Sequence, residues 1–217
     1  MCGRFLLVTD PDTLETTFDI RLTEVIERRY NVAPTQHVPV VRSRAGGGRE
    51  IASLRWGLMP SWAKEGFKPL INARGESVAE KPSFRSSFRS RRCVVPSSGF
   101  YEWKVTNRGK QPMLITPVTS PLFAFAGIWE AGSDPSFAII TTEPNELMVR
   151  IHNRMPVILD PAGVSAWLDP ATTPEVLQCL LVPCSADLMQ AVPVSDRANN
   201  VRNDDPSLIE PVSGLLG

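Results

Sequence analysis

Along this chain, short apolar runs alternate with clusters of proline, glycine and small polar residues. The segments 37–42 (HVPVVR), 49–58 (REIASLRWGL), 93–104 (CVVPSSGFYEWK), 113–117 (MLITP), 122–130 (LFAFAGIWE), 137–142 (FAIITT) and 156–159 (PVIL) are rich in β-branched and aromatic residues. Pro, Gly or Ser bounds each of them, which predicts strands. A further apolar strand at 5–8 draws the N-terminal segment into the body of the fold. TDPDTLETTF at 9–18 predicts a short helix, with Thr9 or Asp10 as its cap and Pro11 in its first turn. Segments 141–150, 160–168 and 172–181 place a polar residue before a proline in the same way and predict three more. RAGGGRE at 44–50 reads as a mobile hairpin tip, and the chain becomes less regular from about Ser195. The sum is one α+β domain around an antiparallel or mixed sheet.

Composition agrees with short elements separated by turns: twenty prolines and fourteen glycines in 217 residues. A hydrophobic share of 42% supplies a core for one domain of this length. No apolar run reaches the length of a membrane span, and the N-terminus lacks a signal-peptide layout, which points to the cytoplasm, or to the nucleus of a eukaryote. The 23 basic and 23 acidic residues cancel, so no global field attracts nucleic acid. Locally the balance breaks: KPSFRSSFRSRR at 81–92 carries Lys81, Arg85, Arg89, Arg91 and Arg92 and no acid. This stretch reads equally as a solvated loop and as a phosphate-binding patch. Cys2, Cys93, Cys179 and Cys184 show neither a CxxC pair nor a disulfide framework, and zinc would want a tighter cluster than these offer with only His37 and His152 to help. Neither metal nor cofactor is expected, and Cys93, Cys179 and Cys184 read as small buried hydrophobes.

Cys2 stands apart, because a thiol at a frayed terminus would pack against nothing. Either Cys2 is an accident, or the terminus is tucked into a site where the cysteine does chemistry. Four segments carry more polarity than a core needs: RWGLMPSW (55–62), LINARGES (70–77), SSGFYEWK (97–104) and RIHNRMPV (150–157). Buried charge is costly unless paired, so Asn72, Arg74, Glu76, Glu102, His152 and Arg154 are either satisfied structural polars or functional ones. Singly, most read as structural. Beside an N-terminal cysteine they supply Glu and His for proton transfer, Asn for orientation and Arg for anions.

MCGRF, NVAPTQ, RWGLMPSWAK, INARGESVAEKPSFR, RRCVVPSSGFYEWK, FAFAGIWE, FAIITTEPN, IHNRMPVIL and NNVRNDDPSLIEP resemble, in order, the signatures of the SRAP family of abasic-site processing proteins. The resemblance runs from Cys2 to about Pro211. It implies a single SRAP-type domain over 2–211 with a barrel-like, mixed or antiparallel sheet core and short flanking helices, followed by a tail at 212–217. Ala198 departs from the family, which more often has Val there; this touches packing more than chemistry.

The resemblance further implies a covalent trap for abasic sites in single-stranded DNA. Cys2 matches the nucleophile, with Asn72, Glu102 and His152 in the catalytic pocket. Arg74 and Arg154 match phosphate contacts, with Arg4 near them. Trp56 and Pro34 match positions that pack against bases and splay the strand; Arg85 and Thr141 match the DNA-binding surface. Removal of Met1 would give Cys2 a free α-amine beside its thiol, the pair needed to form an imine with the sugar aldehyde and close it to a thiazolidine. A monomer without a cofactor is expected, and peptidase activity is expected to go no further than exposing Cys2. Two other readings stand: an N-terminal-nucleophile hydrolase of the glutamine amidotransferase type, which also starts Met-Cys-Gly, and a non-catalytic DNA-binding module. Against the first, Arg4-Phe5 follows Gly3 and no glutamine-clamp pattern lies downstream.

Overall fold

A computed structural model describes residues 2–212. In chain order the elements are β1 (Phe5–Leu7), α1 (Pro11–Phe18), β2 (Arg29–Val32), β3 (His37–Ser43), β4 (Arg49–Trp56), β5 (Asn72–Arg74), α2 (Arg85–Ser90) and β6 (Arg92–Ser97). There follow β7 (Gly99–Thr106), β8 (Gly109–Pro117), β9 (Phe123–Glu130), β10 (Ser136–Thr142), β11 (Met155–Pro156), α3 (Pro161–Leu168), α4 (Pro174–Cys179) and β12 (Met189–Pro193). One sheet runs β12-β8-β7-β1-β2. The other runs β11-β10-β4-β3-β6-β9, and a β9–β10 pairing closes it into a ring. Most neighbours are antiparallel, but β10 pairs in parallel with β4 and β5. The expected α+β class is therefore correct, and the barrel-like core takes the form of this ring-like sheet packed against an open one.

Between the sheets lies an aromatic centre. Phe5 sits 5.2 Å from Trp56 and 6.2 Å from Phe125, and Phe100 lies 5.8 Å from Phe125. Each buried ring of this kind stabilises by roughly 1.5–3 kcal/mol of transfer free energy. A second cluster, including Leu14, Phe18, Phe88 and Trp167, forms where the helices cover the ring-like sheet. Helices α1 and α3 begin as their sequences predict: Asp10 Oδ1 accepts from Thr13 N–H at 2.8 Å and Asp160 Oδ1 from Gly163 N–H, with Pro next in each.

The structure departs from the sequence reading in several places, and the expected strand at 156–159 is reduced to β11 at Met155–Pro156. The expected strand 93–104 breaks at Ser98 into β6 and β7, which belong to different sheets. Gly99 permits the switch: a Cβ there would lie 2.6 Å from the Ile115 carbonyl oxygen. The expected helix at 141–150 shrinks to one 3-10 turn at Met148–Arg150, because Thr141 and Thr142 remain in β10. The basic stretch contains α2 rather than only a loop. Cys93 is fully buried, but Cys179 is exposed at the end of α4 and Cys184 only partly buried, so the expected burial fails for Cys179.

Candidate functional site

Strand β1 fixes the position of Cys2. Phe5 pairs with Phe100 of β7, and Tyr101 N–H donates to the Arg4 carbonyl at 3.0 Å, so Glu102 falls next to the Cys2–Gly3 segment. Cys2 is fully enclosed among Phe5, Trp56, Met148 and their neighbours. Its backbone carbonyl accepts from Asn72 Nδ2 at 2.8 Å. Asn72 is in turn set by β5, which aligns it with Ile139 of β10. The other side-chain atom of Asn72, Oδ1, is buried with no partner among the described residues. Burial above all, then the nearby Glu102 charge, pushes the Cys2 thiol well above its ordinary value. Met1, whose removal the sequence reading requires, lies outside the described residues.

Glu102 is almost wholly buried, and its Oε2 lies 3.9 Å from His152 Nε2. His152 follows the 3-10 turn, whose Met148 carbonyl accepts its N–H at 2.8 Å. The Arg154 N–H donates to His152 Nδ1 at 3.0 Å. The same Nδ1 lies 3.2 Å from the Arg154 carbonyl, so the Arg154 backbone holds this edge of the ring and leaves Nε2 facing Glu102. Four separate segments thus bring a thiol, an amide, a carboxylate and an imidazole together.

The expected DNA contacts divide into accessible and enclosed. Arg74 and Arg85 are exposed and Pro34 is half-buried. Arg154 is mostly buried: it donates to both carboxylate oxygens of Glu76, at 2.9 Å for Nη2–Oε2, and to the Thr141 carbonyl at 2.7 Å. Thr141 itself is fully buried. Arg4 is a buried structural guanidinium here, donating through Nη1 to Asn31 Oδ1 and the Ala198 carbonyl, both at 2.8 Å.

Trp56 differs most from expectation. Its exposure is 0%, its ring packs on Phe5 and Phe137, and its Nε1–H donates to the Ile71 carbonyl at 2.9 Å. It therefore offers no stacking face in this structure and instead props the residue before Asn72. Leu54, Trp56 and Leu58 recur at period two, the alternation that marks one buried face. Gly57 then turns the chain at φ +127°, where a Cβ would meet Pro69 at 2.8 Å. The loop that follows carries an aromatic the sequence reading passed over: Trp62, 54% exposed and edge-on to Phe67 at 5.5 Å. Its signal was a Trp in a Pro-Ser turn context, MPSWA.

Fold and site define a single α+β domain built around an enclosed N-terminal cysteine. The chain belongs to the SRAP family, described as SOS response associated peptidase, whose family model matches residues 1–201. It is 45% identical to the abasic site processing protein YoqW of Bacillus subtilis, across 97% of this chain and 99% of that one. It is 33% identical to the abasic site processing protein HMCES of Gallus gallus, across 84% of this chain and 66% of that one. Among solved structures, a Bacteroides thetaiotaomicron protein shares the fold with a TM-score of 0.86 at 24% identity, covering 97% of this chain and all of the other. A phage-related protein of Bordetella bronchiseptica matches with a TM-score of 0.73 at 27% identity, covering 90% and 95%.

Proposed function

We propose that this protein processes abasic sites in single-stranded DNA by capturing the open-chain sugar aldehyde on Cys2 as a thiazolidine, after loss of Met1. The observation that carries the reading is the enclosure of Cys2, with its carbonyl held by Asn72 and with Glu102 and His152 at its side. The abasic-site names of the relatives support the same substrate.

The raised thiol bears on the order of steps. A neutral, buried thiol is a poor first nucleophile. An α-amine of about pKa 7.7–8.0 is partly neutral near pH 7.5 and attacks the aldehyde first. The carbinolamine then loses water to give an imine. Thiol sulfur next bonds to the imine carbon, and the thiol proton ends on the ring nitrogen. Closure is intramolecular, with an effective molarity on the order of 10⁵ M or more when the groups are aligned. Glu102 carries protons for dehydration and closure, and His152 donates Nε2–H to the sugar oxygen as the ring opens. Asn72 holds Cys2 by its carbonyl without adding charge. Arg74, Arg85 and Arg154 supply phosphate contacts beside Pro34, while Trp62, rather than the enclosed Trp56, supplies the stacking face.

The test uses protein lacking Met1 and an oligonucleotide with one abasic site. A complex that survives SDS is expected from the wild type and none from Cys2→Ser. Undiminished adduct from Cys2→Ser would assign the bond to another residue. Retained affinity in Cys2→Ala with no adduct from either protein would leave only a binding module.

A further inference from the structure

Residue Glu76 has no part in the capture chemistry, yet it occupies the anion-binding edge of Arg154. Both its carboxylate oxygens take hydrogen bonds from that guanidinium, and among the described residues Nη1 of Arg154 meets Glu76 alone. The field of Arg74 also reaches Glu76, and these cations, the Arg154 hydrogen bond foremost, hold its carboxyl below the ordinary value. A carboxylate with two oxygens on a guanidinium fork has the geometry with which a phosphodiester binds the same fork.

The two partners are unequally anchored. The Arg154 side chain is 13% exposed and donates through Nη2 to the carbonyl and hydroxyl of Thr141, at 2.7 and 3.3 Å. That carbonyl also accepts from Gly75 N–H at 2.9 Å, so a rigid strand edge holds the guanidinium in place. The Glu76 side chain is 48% exposed, and no other side chain among the described residues holds it. Arg154 can stay while Glu76 swings into solvent. Building on the DNA-binding role assigned above, we infer that Glu76 stands in for a backbone phosphate in the free protein and competes with DNA for Arg154. It thereby sets the affinity for single strands: Arg74 and Arg154 with Glu76 carry one net positive charge, and without it two.

Affinity is read by fluorescence anisotropy on a single strand with an internal tetrahydrofuran, an abasic analogue that has no aldehyde, so binding is separated from capture. Glu76→Gln is expected to tighten binding about fivefold at low salt, the factor matching about 1 kcal/mol for an exposed ion pair. Glu76→Ala gives the same sign. In an Arg154→Ala background the gain disappears. Weaker or unchanged binding in both Glu76 variants overturns the inference and makes Glu76 a support for Arg154. A gain that persists undiminished without Arg154 also overturns it, because net charge alone would then explain the effect. Wild-type protein that captures authentic abasic DNA while Glu76→Gln gains nothing sinks this inference only. Wild-type protein that neither binds the analogue nor captures the aldehyde sinks the reading beneath it.

Discussion

Asn72 shows how little contact a functional side chain needs in order to be placed. Its one hydrogen bond to the described chain, Nδ2 to the Cys2 carbonyl, joins β5 to the segment before β1. Asn72→Ala removes a bond worth about 1 kcal/mol and should slow adduct formation at saturating DNA while leaving affinity for the tetrahydrofuran strand intact. A loss of affinity without a change in saturating rate would move Asn72 into DNA binding. Trp56 acts one residue further back. Trp56→Phe keeps most of the packing and leaves the Ile71 carbonyl its bond from Ile139 N–H, so the lost indole hydrogen bond costs about 1 kcal/mol in urea denaturation. An unchanged midpoint would show that the indole N–H contributes nothing. Asn72, Glu102 and His152 stood out in the sequence as candidates because each sits in a segment too polar for a core, and Cys2 because a thiol at a frayed terminus would pack against nothing. The fates of Arg4 and Arg154 were not: their partners lie as far as 194 and 78 residues away.

Two of the elements that hold the site have little regular structure of their own. Asn145 is buried; it accepts from Met148 N–H at 2.9 Å and donates to the Cys184 carbonyl at 3.0 Å. It thus ties the first residue of the 3-10 turn, from which His152 hangs, to the segment at Cys184. The C-terminal segment forms a clasp: Asp204 accepts from Arg29 and from the N–H groups of Tyr30 and Asn31. Asn31 donates back to the carbonyls of Asn200 and Asn203 and accepts from Arg4. Asp204→Ala leaves two backbone donors without their acceptor and should lower stability by about 1–3 kcal/mol. A urea midpoint equal to the wild type would refute the clasp. Long apolar strands such as β9 and β10 were readable from their runs. Strands β2, β5 and β12 were not, since three to five residues of mixed polarity become strands only when a neighbour supplies the ladder. The helical pattern at 141–150 failed for the same reason, as β10 claimed its first two residues.

Across the whole molecule, buried acids that stay neutral give stability an alkaline limit. Burial pushes the Cys2 and Cys93 thiols and the Tyr101 hydroxyl above their ordinary values of 9.0, 9.0 and 10.0. Above about pH 9 the unfolded chain releases protons that the folded one retains, so stability falls as pH rises. Urea midpoints are expected to hold from pH 7 to 8.5 and to decline beyond 9; a flat profile to pH 10.5 would contradict the enclosure of these groups. The fold class was readable from the turn-punctuated strands, whereas closure of the larger sheet was not: β9 and β10 form a local hairpin, but the ring also needs the parallel pairing of Ser136 in β10 with the distant Arg55 in β4, which local pattern does not encode.

The intact mass of the protein, taken before and after incubation with an abasic single strand and without borohydride, tests the central claim most directly. The account predicts a chain lacking Met1 that gains the oligonucleotide less one water, with fragmentation placing the link on Cys2. A chain that forms the adduct with Met1 still attached, a link on another residue, or an adduct seen only after borohydride reduction would contradict it.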